Sequence, residues 1–384
     1  MTNKTNATYV FGFGRSNVIN NKSTFPKDFF YGYFDLKDDI SNVNYIEFET
    51  DIGKSIFNNL LTFASKVLRK LTKLSFFLEN ICTFKNFQIL RNTKNIILTN
   101  DRIGLSLLPF LIIFRLFNMN KSTVIVMGLL AKETNTFVTH FLQRLFLNLF
   151  FSVVNNFMFL SKGEYQQANI SYYKYRDKFH FAPFCIDTNF WTKNNPAVNK
   201  KKILFIGNDG RREYDLVLKI AESLTEYEFT LITSNIDYKK IKSENIELIK
   251  GHWNKQLISD EELRKIYSDA SLSIIPIRNS YQPSGQSVAL QSMSMGVPVM
   301  ITYTDGFWDK DIFDKQNIIF VEKNILSIWK KEIDKIMKDD KRKKIIANNA
   351  SKVVYSNYRS EIFYNKLKSI LFFDLIKYLF FIFI

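Results

Sequence analysis

Two short loops in the C-terminal half carry the residue types best suited to bind and activate a phosphate ester. The first is GNDGRREYD (207–215). Gly207 and Gly210 let backbone approach a ligand, Asn208 and Asp209 suit the turn, and Arg211 and Arg212 sit where a helix should begin. Exposed amides, the positive end of a helix and a guanidinium together make a phosphate site. The same Gly-Asn-Asp-Gly run is also ordinary turn chemistry. The second loop opens the stretch NSYQPSGQSVALQSMSMGVPVMIT (279–302). Pro283, Ser284 and Gly285 form a turn, and a helix starts near Ser287. Its N-terminus would offer the amides and side chains of Gln286 and Ser287 to an anion or to sugar hydroxyls, with Gln291 further along the same helix. Met293, Met295 and Val297 read as core. A third loop, TYTDGFWD (302–309), offers Trp308 either as a ligand platform or as a packing aromatic.

Other reactive types are sparse. Cys82 and Cys185 are the only cysteines and lack metal-type spacing, which argues against a zinc site or a disulfide framework and fits a reducing, cytoplasmic compartment. His140 and His180 read as structural. His252, in GHWNKQ with Trp253, is a candidate wall of a nucleotide-base pocket.

The elements that must position these loops alternate in type. Apolar runs at 201–207, 228–233, 245–251, 271–277 and 297–301 read as buried parallel strands, with helices at 215–224, 260–268 and 287–295 between them. That order predicts a doubly wound α/β sheet, whose ligands sit outside the carboxyl ends of its strands. The N-terminal half alternates less cleanly, with strands at 44–49, 95–99, 122–128 and 155–161 and a helix at 136–151. The polar stretch 187–200 reads as a linker. The expected domains are 1–186, the linker 187–200, a second Rossmann-like domain at 201–360 and an apolar C-terminal helix and tail at 361–384. The two doubly wound domains should face each other across a cleft.

With 384 residues, 46% of them hydrophobic, the chain has material for two full cores. The net charge of +16 admits nucleic acid, an anionic membrane or phosphorylated substrates as partners. It is concentrated at 54–102, where Lys54, Lys66, Arg69, Lys70, Lys73, Lys85, Arg91, Lys94 and Arg102 stand against only Glu79 and Asp101. No nucleic-acid recognition motif accompanies it. The N-terminus lacks the apolar run of a signal peptide, and no stretch reaches the length needed to span a bilayer. The tail ILFFDLIKYLFFIFI (370–384) suits a membrane interface or a groove on the protein.

Three segments together resemble the retaining GT-B glycosyltransferases that make bacterial surface glycans. FCIDTNFW (184–191) resembles their interdomain segment, and ILFIGNDGRREYDLVLKIAESL (203–224) their first C-domain strand, loop and helix. LRKIYSDASLSIIPIRNSYQPSGQSVALQSMSMGVPVMI (263–301) resembles their donor signature. In the N-terminal half, FLSKGEYQQA (159–168) resembles the segment after the last strand of the acceptor domain. The resemblance implies that Arg212 grips the donor diphosphate. Asn208 replaces a second basic residue, for which Arg211 substitutes. Two signature Glu residues, with seven positions between them, are here Pro283 and Gln291; Gln291 would still hydrogen-bond ribose hydroxyls.

The reaction so implied is transfer from a nucleotide-sugar to a glycan or lipid-linked hydroxyl with retention, in polysaccharide biosynthesis, without metal or other cofactor. Arg212, Arg211 and the amides near Gly285–Ser287 would stabilise the departing diphosphate. An anionic membrane surface is a further expected partner, placing the protein on the inner face of the plasma membrane; nucleic acid is not. Other readings keep the fold: a sugar-nucleotide epimerase, which needs carboxylates and histidine in the cleft, or a degenerate nucleotide-binding protein, suggested by the missing Glu pair.

Overall fold

A computed structural model of the chain describes residues 4–20, 25–49, 53, 55–192, 201–251 and 258–372. They form two compact units. One holds the described residues of Met1–Ser23, Phe29–Ala182 and Phe363–Ile384, the other those of Thr24–Asp28 and Pro183–Ile362.

The first unit carries strands β1 (Thr5–Phe11), β2 (Val43–Glu47), β3 (Thr93–Leu98), β4 (Lys121–Val126), β5 (Asn156–Phe159) and β6 (Phe179–Phe181). All pair in parallel, in the order β2-β1-β3-β4-β5-β6. Between them run helices α1 (Arg15–Asn20), α2 (Tyr33–Asp39), α3 (Ile56–Thr72), α4 (Phe84–Arg91), α5 (Asp101–Ser106), α6 (Leu108–Leu116), α7 (Phe137–Val153) and α8 (Lys162–Ser171). The core is aromatic-rich: Phe150, Phe151, Phe157 and Phe179 meet in mostly edge-on pairs, a geometry favoured by the ring quadrupole.

The second unit carries β7 (Lys202–Ile206), β8 (Glu228–Ile232), β9 (Ile246–Ile249), β10 (Leu272–Ile275), β11 (Val299–Thr302) and β12 (Ile319–Val321). These are also parallel throughout, in the order β12-β11-β10-β7-β8-β9. Helices α9 (Tyr214–Ser223), α10 (Asp260–Asp269), α11 (Gln286–Ser294), α12 (Leu326–Met337) and α13 (Asp340–Asn357) connect and cover them, and α14 (Ser360–Leu371) follows. Ile203, Phe205, Leu231, Leu272, Ile274 and Met300 are buried in its core, as a sheet covered on both faces requires.

The sequence reading places the first boundary after residue 186; the contacts place it after Ala182. The reason is the segment from Pro183: Ile186 bridges Arg359, accepting from Ser360 N at 3.0 Å and donating to Tyr358 O at 2.8 Å. The chain leaves the second unit within α14. From Phe363 it belongs to the first, where Phe363 packs on Tyr31 and the Tyr364 hydroxyl and the Lys368 ammonium both donate to Asp39. Of the expected tail, 373–384 lies outside the described residues, as does 193–200 of the linker.

Candidate donor site

Strand succession reverses between β7 and β10, which lie side by side at the centre of the second sheet. The crevice outside the carboxyl ends of such a strand pair is where doubly wound sheets bind ligands. Both expected loops open there. They are also stitched to each other. Arg212 bridges Ile277 in antiparallel fashion, Arg278 N donates to Arg211 O at 2.8 Å, and Glu213 N donates to Pro276 O at 3.0 Å. This short zipper fixes Arg212 against the start of α11.

Arg212 is buried, with 3% of its surface exposed. Its side chain folds across Gly207, where an added Cβ would stand 2.4 Å from its Nε. Nε donates to Ile206 O at 3.4 Å, and Nη1 lies 3.7 Å from where a Cβ on Gly285 would be. Nη1 forms an ion pair with an Asp209 carboxylate oxygen at 3.0 Å. That contact is not aligned as a hydrogen bond, so Nη1 has no hydrogen-bond acceptor among the described residues. Gly285 is the N-cap of α11, in the left-handed region at φ 84°, and no side chain caps the helix. The buried Ser284 hydroxyl beside it also lacks a partner among the described residues. A desolvated cation therefore lies at an uncapped helix start, with a buried hydroxyl on the residue before it, chemistry that suits an anion.

The other predicted residues divide into several roles. Gly207 provides the space Arg212 occupies. Gly210 is exposed with open space about it. Asp209 pairs with Arg212 through one oxygen and accepts from Arg211 N at 2.9 Å through the other; Arg211 is half-buried. Gln286 is buried and Ser287 half-buried at the first turn of α11. Asn208 is a loop staple: its side-chain oxygen accepts from Ser234 N at 2.6 Å and from the Thr233 hydroxyl at 3.2 Å. His252 lies outside the described residues. Trp308 is no platform, being wholly buried and stacked on Phe307 with ring centroids 4.0 Å apart.

Gln291 differs most from expectation. Its amide is turned into the core: Oε1 accepts from the Tyr267 hydroxyl at 3.0 Å and Nε2 donates to Asp28 Oδ2 at 2.8 Å. Buried, with one bond already made at each atom, the amide faces the core and not solvent. Replacing Gln291 with leucine should destabilise the second unit by about 1–3 kcal/mol, because Tyr267 and Asp28 lose partners. Affinity for a nucleotide should barely change; a loss of affinity at unchanged stability, measured by titration and denaturant unfolding, would restore the ribose role.

Asp28 is a residue that sequence reasoning missed. Although 163 positions from Trp191, it accepts the indole N–H at 2.7 Å and Asp187 N at 2.6 Å, besides Gln291. Burial pushes its carboxyl up to about 7, against the lowering effect of those three donors and with a small further push from Asp187. The native state therefore holds the proton more tightly than the unfolded chain. Stability from this group is fully present below about pH 4 and lost as pH rises through 7. Relative to Asp28→Asn, the wild type should lose a few kcal/mol of stability between those limits, as measured by denaturant unfolding at a series of pH values. A pH-independent gap would show that Asp28 titrates normally. Also unforeseen is Asn324, which donates to Ile277 O at 2.8 Å and accepts from Thr302 Oγ1 at 2.7 Å, while Thr302 accepts from Ile277 N at 3.0 Å. This triangle holds the loop that carries Arg212's bridge partner.

No family model and no curated protein matches the sequence. Solved structures do resemble its fold. HepE of Anabaena, in complex with UDP and glucose, is similar over 94% of this chain and 98% of its own, with a TM-score of 0.64 at 11% identity. Sucrose-phosphate synthase of Thermosynechococcus elongatus is similar over 98% and 99%, with a TM-score of 0.65 at 14% identity. A glycosyltransferase of Rickettsia africae is similar over 97% and 99%, with a TM-score of 0.60 at 11% identity. The chain thus has the GT-B fold of two Rossmann-like units.

Proposed function

We propose that this chain is a glycosyltransferase that moves a sugar from a nucleoside-diphosphate sugar to a hydroxyl of a glycan or lipid-linked acceptor. The observation that carries the reading is the buried Arg212 guanidinium held against the uncapped start of α11, at the point where strand succession reverses. HepE, of the same fold, has been solved with UDP-glucose as well as with UDP. Sugar transfer from such a donor is limited by the charge that builds on the departing diphosphate. Here that charge would meet Arg212, the first amides of α11 and the Ser284 hydroxyl, all fixed before the reaction begins. Arg212 would exchange its skewed contact with Asp209 for two aligned bonds to phosphate oxygens. Arg211 would reach the diphosphate from the same loop.

The reading extends to retention of anomeric configuration, with the acceptor proton leaving to a phosphate oxygen of the donor and no metal ion required. The surface-glycan pathway follows from the loops' likeness to enzymes of that class. Ribose recognition falls to residues other than Gln291. The test is release of nucleoside diphosphate from a panel of UDP-, GDP- and ADP-sugars, with the anomeric configuration of the product followed by NMR. Turnover of one donor class with retention supports the proposal in full. Donor binding without turnover under any acceptor would favour the degenerate scaffold, and a C-2-inverted sugar nucleotide the epimerase.

A further inference from the structure

We propose that the outer faces of α3 and α7 form a docking surface for an anionic lipid bilayer. On α3, Leu61, Ala64 and Leu68 pack against the core. The adjoining side presents Ile56, Leu60, Phe63 and Val67 to solvent, with Ile56 83% and Phe63 68% exposed. Steps of four, three and four residues place these side chains in one stripe. Helix α7, which packs against α3, buries Leu147, Phe150 and Phe151 and exposes Phe137, Phe141, Leu145 and Leu149 at four-residue steps. Phe137 is 84% exposed. Two apolar stripes of this kind, on helices packed against each other, are rare on a protein surrounded by water.

Charge selects the occupant. Neither helix contains an acidic residue. Lys66, Lys70 and Lys73 are exposed along one flank of the α3 stripe, whereas Arg69 turns inward to Glu79 at 3.9 Å and to the Phe77 ring. A second copy presenting the same face would bring lysines together with no acid to meet them. Anionic headgroups meet the lysines, while the phenylalanines and leucines enter the boundary between headgroups and acyl chains. The mode is attachment to one leaflet: among the described residues no helix is long and apolar enough to cross a membrane. The inference does not depend on sugar transfer.

The test is co-sedimentation of the full chain with vesicles of phosphatidylcholine alone or mixed with phosphatidylglycerol. The wild type should sediment with the mixed vesicles, far less with the neutral ones, and less as salt rises. Lys66→Ala/Lys70→Ala/Lys73→Ala should lower the partition coefficient by about 10- to 100-fold. Leu60→Asn/Phe63→Asn/Phe137→Asn/Phe141→Asn should lower it at least as far, with circular dichroism and thermal unfolding unchanged because all four side chains are exposed; Phe63→Asn alone should give a smaller loss in the same direction. Equal binding by wild type and variants would overturn the proposal, as would no binding to anionic vesicles. A dimer that dissociates with the same substitutions would overturn it in favour of self-association.

Discussion

Replacing Arg212 with alanine should lower kcat/KM for the nucleotide-sugar by about 100- to 1000-fold, equivalent to about 3–4 kcal/mol of lost transition-state stabilisation. The size follows from the setting. The guanidinium is buried, its backbone is fixed by the bridge to Ile277, and among the described residues its Nη1 has only a skewed ion pair with Asp209. A charge held so in low dielectric stabilises a developing anion far more than one in water. Arg212→Lys should recover only part of the loss, because an ammonium lacks the planar fork that grips two phosphate oxygens. Steady-state kinetics beside thermal unfolding distinguishes the roles. Were activity to fall only in proportion to lost fold stability, Arg212 would be a structural residue.

Gly207→Ala should produce nearly the same loss without touching any ligand contact of its own. The added methyl would lie 2.4 Å from Arg212 Nε and 2.7 Å from its Cγ. Gly207 does not need a left-handed backbone, so the clash falls on the buried Arg212 side chain, whose Cγ, Cδ and Nε must all shift. A displacement of even an ångström at a preorganised charge is costly, on the order of 100-fold. The two substitutions should therefore be non-additive: Gly207→Ala in the Arg212→Ala background should cost little further. Additive losses in kcat/KM would mean that Gly207 acts on the donor directly.

The loops that carry Arg212, Gly207 and Gly285 were legible because their turn chemistry is local. A strand ending in glycine and a turn rich in arginine are read within ten residues, and the PSGQS turn likewise, although α9 opens only at Tyr214 and Arg212 lies before it, bridged to Ile277. The second unit's strands were legible for a related reason: β7, β8, β10 and β11 are mostly buried and mostly apolar, with Thr230 and Ser273 the polar breaks inside them. Strand β1 was not, although it lies inside its sheet, because Thr5, Asn6 and Thr8 dilute its apolar pattern. Strands β6 and β12, of three residues each, are too short to carry a period.

What the residues could not tell is which way a polar side chain turns. Gln291 stands at a position where the resemblance implies a ligand contact, yet its partners are Tyr267 and Asp28, the latter 263 positions away. Asp28 has no local signature at all; its importance arises only when the chain brings Trp191, Asp187 and Gln291 to it. Asn208 shows the same limit on a smaller scale, since the loop after β8 claims its side chain. Trp308 went into the core because Phe307, Phe313 and Phe320 are grouped there to receive it or its neighbour.

The most direct measurement is a calorimetric titration of UDP, GDP and ADP, each with its glucose conjugate, into the wild type and Arg212→Ala. One nucleotide class should bind the wild type, and the substitution should weaken that binding at least tenfold while leaving the unfolding midpoint within a few degrees. At ligand a hundredfold above its dissociation constant, binding should also stabilise the wild type by about 2.7 kcal/mol. Binding of the same strength to both proteins, or to neither with any of the six ligands, would contradict a donor site built on Arg212 and the start of α11.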